Sequence, residues 1–131
     1  MSRIAALVAL AALVVAGLTT AIDRTGDAGV MVPPPESVAE SFFRQVETGR
    51  YSRAKPFLAR ELADSTPDGE LERLLRELER RAGRIEKIHG DSARHDGRGA
   101  TAFMTIAGSR DTVELELRLR REQRVWKIGA L

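Results

Sequence analysis

The sequence predicts an α+β domain, helices first and an antiparallel sheet after them, behind an apolar N-terminal segment. Apolar residues recur at helical spacing from Val38 to Ala82. After Gly83 the pattern changes to strict alternation, clearest in Val113, Leu115, Leu117 and Leu119 against Glu114, Glu116, Arg118 and Arg120. Short turn-rich pieces separate the alternating stretches, and no strand pattern is followed by a helix pattern. Runs of helices followed by runs of strands put helices on one face of an antiparallel sheet. The absence of βαβ units argues against a dinucleotide site of the doubly wound kind.

The chain has 131 residues, of which 43% are apolar and 31% charged. Its first 22 residues are set apart. Arg3 is their only charge, and Ile4 to Ile22 form an uncharged run of 19 positions, made only of Ala, Val, Leu and Ile as far as Ala16. A run this apolar at a terminus directs a chain to a membrane. Two readings stay open. A signal peptide would use Gly17 as helix breaker and be cut after Ala21, leaving a periplasmic protein. A retained anchor would use the whole of 4–22, and the bulky Leu18 and paired threonines before the cut favour it. Arg3 on the short side places the N-terminus inside and the domain on the outer side of a bacterial inner membrane under both readings.

Residues 23–35 read as a linker. Gly26 and Gly29 precede Pro33-Pro34-Pro35, which favours an extended spacer. The domain proper is then 36–131, long enough for one modest core. All 19 acids and 20 of the 21 Lys and Arg lie beyond residue 22, so the domain is nearly neutral with its charges interspersed. No one-signed face for nucleic acid is readable. The chain has no cysteine, which excludes disulfides, cysteine zinc sites and a lipid-modified anchor.

Each element has its own local reason. Ser37-Val-Ala-Glu40 matches a capping box, and Val38, Ala39, Phe42, Phe43 and Val46 give the first helix a buried stripe that Gly49 ends. A second helix is expected from near Ser52, burying Ala54, Phe57, Leu58 and Leu62, with Pro56 confined to its first turn. Thr66-Pro67 opens a third, with Asp68 and Glu70 at its positive end and a stripe of Leu71, Leu74, Leu75, Leu78 and Ala82. Glu72–Arg76, Arg73–Glu77 and Glu77–Arg81 are spaced as pairs on its wet side. Strands are expected at 84–89, 101–106, 113–120 and 124–128, with a polar loop at 91–99 and a hairpin turn at Gly108-Ser-Arg-Asp111.

Two stretches resemble a known superfamily. Pro35-Glu-Ser-Val-Ala-Glu-Ser-Phe-Phe43 followed by Gly49-Arg-Tyr51-Ser-Arg-Ala54 is similar to the opening of nuclear transport factor 2-like domains. Val125-Trp-Lys-Ile128, after a charged hairpin, is similar to their last strand. The likeness spans about residues 33–131 and leans towards the small bacterial envelope and lipoprotein domains of that group. It implies a cone, with a curved sheet wrapped around helices and a pocket at the open end. Phe43, Tyr51, Phe57, Met104 and Trp126 are the candidate lining for an apolar ligand.

Catalytic members of the superfamily pair a base in the cone with a Tyr or Asp that stabilises an enolate. No such set is readable here. Asp64 and Asp68 flank a helix start, Asp91 and Asp96 fall in the expected loop, Asp111 is in a turn, and Tyr51 is the sole Tyr. His89 and His95 with those loop acids make at most a weak metal site, and no cofactor or metal is expected. The reading is a non-catalytic envelope domain, tethered through 4–22 or periplasmic, that binds a protein partner or a second copy through the charged sheet face. Carriage or sensing of a small apolar ligand is the alternative, and an isomerase- or cyclase-type enzyme comes after it.

Overall fold

In a computed structural model of the protein, the residues described are 32–131. The apolar segment and most of the linker lie outside them. Helix α1 spans Pro35–Glu47, α2 Tyr51–Ala54, α3 Arg60–Asp64 and α4 Asp68–Ala82, with a single 3₁₀ turn at Lys55–Phe57. Strands β1 (Ile85–His95), β2 (Ala100–Gly108), β3 (Thr112–Glu122) and β4 (Val125–Ala130) follow in one antiparallel sheet of order β1-β2-β3-β4. The α+β class and its helices-then-sheet order are as the sequence predicts.

Helix α1 begins three residues earlier than the capping-box pattern suggests. Pro34 is its N-cap and Pro35 its first residue, where a missing N–H costs nothing. Glu40 therefore does not fold back on Ser37. Its carboxylate accepts the N–H of Gly90 at 2.9 Å, and its other oxygen pairs with Arg44 at 2.6 Å. Arg44 in turn donates to the Ile88 carbonyl. The two side chains thus fasten α1 along the free edge of β1. A Cβ at Gly90 would strike the Glu36 carbonyl, so only glycine lets the first turn of α1 come this close. The helix ends with Gly49 at φ +76°, its N–H bonded to Val46 and that of Arg50 to Gln45, a paired C-terminal cap that needs a left-handed residue.

The expected second helix is broken into three pieces. After the 3₁₀ turn, Leu58 and Ala59 are extended (ψ 149° at each). Leu58 forms a parallel bridge with Ile128, and the Ala59 N–H donates to the Ile128 carbonyl at 2.7 Å. A hydrogen bond to β4 outweighs local helix propensity at these two residues. Pro56, which could sit only in a first turn, falls in the 3₁₀ segment. The first N–H of α3, from Arg60, is taken by the Glu122 carboxylate.

Helix α4 starts at Asp68 with Pro67 as N-cap and buries Leu71, Leu78 and Ala82. Glu72–Arg76 forms as spaced, but Arg73 turns to Glu70 and Arg80 to Glu77. The carbonyls at its C-terminus meet the β2–β3 turn. The N–H groups of Arg110 and Asp111 both donate to Ala82 O, at 2.8 and 3.1 Å, and the Arg110 guanidinium reaches the carbonyls of Glu79 and Arg80. A turn of the sheet thereby caps the helix and brings positive charge to the negative end of its dipole.

Strand β1 is longer than expected. It runs on through Asp91–His95, residues read as loop, and pairs with β2 as far as His95↔Ala100. Irregularities fall at Glu86 and Asp91, where one strand carries an extra residue. Ala100, Ala102, Met104 and Ile106 of β2, Val113, Leu117 and Leu119 of β3, and Trp126 and Ile128 of β4 form the buried face. Val38, Phe42, Phe43 and Val46 of α1 and Leu71 and Leu78 of α4 close the core over it.

The α4–hairpin junction leaves no room at Gly108, where a Cβ would meet the Ala82 carbonyl and lie 2.8 Å from the Ala82 Cβ. Gly108→Ala should therefore destabilise the domain by about 1–3 kcal/mol. Chemical denaturation of the two proteins side by side checks this, and an unchanged midpoint would contradict the packing described.

Candidate functional site

The five residues expected to line a pocket do not line one together. Phe43 and Met104 are fully buried, Trp126 nearly so, and Tyr51 and Phe57 are half-buried against the same core. Of four clefts that stand out among the described residues, Met104 contributes to one and the other four residues to none. Trp126 instead carries polar neighbours. The Arg121 guanidinium lies 5.1 Å from its ring centre, and His95 packs edge-on at 5.5 Å.

The two histidines are held apart by the sheet. His95 pairs with buried Ala100 and packs on Trp126, whereas His89 pairs with Thr105 on the opposite face. His89 approaches Asp91 at 3.6 Å, and Asp91 accepts the Thr105 hydroxyl at 2.6 Å. Asp96 is elsewhere, in the β1–β2 turn. No group of three or more His, Asp or Glu suited to a metal occurs among the described residues.

The face of the sheet away from the helices is rich in charged and polar side chains. Register brings its outward residues into rows. Thr105 stands opposite Glu114, Phe103 opposite Glu116, and Thr101 opposite Arg118, with Ser92 and Arg94 of β1 beside Phe103 and Thr101. Phe103 is half-buried at the centre, with the Arg94 guanidinium 5.3 Å from its ring centre. Asp91, Glu114 and Glu116 gather on one side of it around a shallow depression of about 270 Å³. Arg94, Arg118, Arg120 and Lys127 occupy the other side. The acids of the face thus gather towards one end and its cations towards the other, where Arg118 and Arg120 also pair with Asp96 and Glu122.

No family profile and no curated protein matches the sequence. Among solved structures, a Campylobacter jejuni protein provisionally described as an NTF2-like transpeptidase superposes with a TM-score of 0.59 at 13% identity, over 76% of this chain and 100% of that one. The fold is nuclear transport factor 2-like. At this identity the likeness concerns the fold alone. Among the described residues no helix is long and apolar enough to cross a membrane, and residues 4–22 lie outside them.

The sequence pattern alone indicates the outward charges of β3 but not their division into halves. That needs the register with β1 and β2, including the bulge at Asp91. One end of the face is clamped by Asp96, whose carboxylate accepts from Arg118, Gly99 and Arg98. The Arg118 hydrogen bond first, then those two N–H groups, hold the Asp96 carboxyl well below the usual carboxylate range. A depressed carboxylate stabilises the fold above its unfolded pKa of about 4, and that contribution fades as pH falls below it towards the folded value. Asp96→Asn should accordingly lower the melting temperature at neutral pH, and the gap to the native protein should narrow steadily as the pH is taken down from about 4 to about 2. A pH-independent gap in thermal melts would remove the clamp as its cause.

Proposed function

We propose that this chain is a non-catalytic domain of the bacterial cell envelope, tethered or exported by residues 4–22, that docks a protein partner through the outer face of its sheet. The first partner to consider is a second copy of itself. The observation that carries this is the division of the outer face into Asp91, Glu114 and Glu116 on one side of Phe103 and Arg94, Arg118, Arg120 and Lys127 on the other. A two-fold axis across the strands, between Glu116 and Arg118, lays the acidic half of one copy on the basic half of the next. Phe103 and the aliphatic stem of Arg94 supply an apolar centre for such a contact. Tethering two copies to one membrane raises their effective concentration further.

The description of the solved neighbour raises acyl transfer as another possibility. That chemistry through a covalent intermediate needs a nucleophile with an adjacent base. The chain has no cysteine. The Ser65 hydroxyl donates to backbone carbonyls, and the Ser109 hydroxyl accepts the Arg84 N–H. We place the binding reading ahead of the catalytic one.

Carriage of an apolar ligand has one observation in its favour. A groove of about 460 Å³ has Leu62, Pro67, Leu74 and Leu131 in its lining, with Glu70, Arg73 and Glu77 along its side. It lies beside α4 rather than under Trp126.

Crosslinking of the full chain in membranes tests docking. The native protein should give a dimer or a defined heteromeric band. Glu116→Arg and Arg118→Glu should each weaken the band about tenfold, equivalent to about 1.4 kcal/mol, and co-expression of the two variants should restore it, because the axis lays Glu116 of one copy over Arg118 of the other. A chain that stays monomeric and alone, or reversals without effect, would sink the proposal.

A further inference from the structure

The largest of the four clefts, about 620 Å³, lies at the β4 margin of the outer sheet face, between the Lys55-Pro56 turn, α3 and the β3–β4 hairpin, and shares Arg120 and Lys127 with that face. Its lining includes Lys55, Arg60, Arg120 and Lys127 against Glu61 and Glu122. Lys55 is spoken for, since it pairs with Asp68 at 2.8 Å. Arg120 is shared between Glu122 at 3.0 Å and Glu61 at 3.6 Å. The Arg60 guanidinium and the Lys127 ammonium have no carboxylate within 4.0 Å among the described residues. Lys127 hydrogen-bonds only the Pro56 carbonyl, and its charge acts on the Glu122 carboxylate from beyond direct ion-pair distance.

Glu122 shows what the cleft receives. Its carboxylate accepts the Arg60 N–H at 3.2 Å and the Arg120 guanidinium at 3.0 and 3.3 Å. An anionic oxygen group from the chain itself is thus already held by a backbone donor and a guanidinium. The hairpin tip beside it carries strain. Gln123 and Arg124 both have positive φ, +54° and +72°, in a turn that ordinarily takes Asn and Gly.

We propose that this cleft binds a phosphate group, with Arg60, Lys127 and Arg120 as its cationic donors and Glu122 as the internal carboxylate that competes with it. Donors come from three elements, α3, β3 and β4. A tetrahedral oxyanion offers acceptor oxygens in all directions, whereas a planar carboxylate offers one edge. A free phosphate and the phosphate of a lipid headgroup share this chemistry.

The test is titration of the full-length protein with sodium phosphate, with sodium chloride at matched ionic strength, and with glycerol 3-phosphate as a headgroup probe, read by NMR at the Gln123, Arg124 and Lys127 amides. Saturable shifts with phosphate and not with chloride are expected. Arg60→Gln with Lys127→Gln should weaken binding at least tenfold, and Glu122→Gln should tighten it severalfold. Tighter binding of glycerol 3-phosphate than of phosphate would point to a headgroup, and the reverse to a free ion. Equal responses to chloride and phosphate, or full binding by the double variant, would overturn the site. If Glu122→Gln fails to fold, the double variant and the chloride control still decide it.

Discussion

The junction between the end of α4 and the β2–β3 turn is the contact on which the rest of the domain depends. Helix α4 is the longest of the described residues, and its last carbonyls are bonded by the turn's own N–H groups and by Arg110. Buried helix ends without partners are costly, so this contact determines where the helix stops. It also determines how the helix lies across the sheet, because Gly108 admits only one closeness of approach. With α4 fixed, Leu71 and Leu78 come down on the sheet's buried face, and α1 fills the remaining space with Phe42 and Phe43.

Filling the core this way moves the domain's chemistry outward. Phe43, Met104 and Trp126 are part of the packing between helices and sheet. The charged residues are then left to the outer sheet face and to the cleft by α3. On both, the arrangement follows from register. Glu116 faces Phe103, and Glu122 meets the start of α3, because the hairpins align them there.

Much of this was legible in the sequence. The stripes of α1 and α4, the glycines that end them and the alternation in β2 and β3 depend on near neighbours, and local pattern reports them faithfully. What escaped depends on distant partners. The break at Leu58 and Ala59 exists because Ile128 pairs with them, seventy residues later. Glu40 reads as a local cap, but its carboxylate is used by Gly90. The second half of β1 looks like a loop because Ser92 and Arg94 face water, Ala93 and His95 are weakly apolar, and the bulge at Asp91 interrupts the alternation. Of the two candidate surfaces, the β3 charges were visible from alternation alone. The cleft was not, since its defining bond joins Arg60 to Glu122.

The fastening of α1 along β1 has a further consequence for crowded conditions. An exposed strand edge is a template on which copies add strand to strand without limit. Here Glu40 and Arg44 occupy the Gly90 N–H and the Ile88 carbonyl, and two bulges distort the rest of that edge. At the far side, Ala59 takes the Ile128 carbonyl. Strand-on-strand addition is thus disfavoured at these positions on both margins of the sheet.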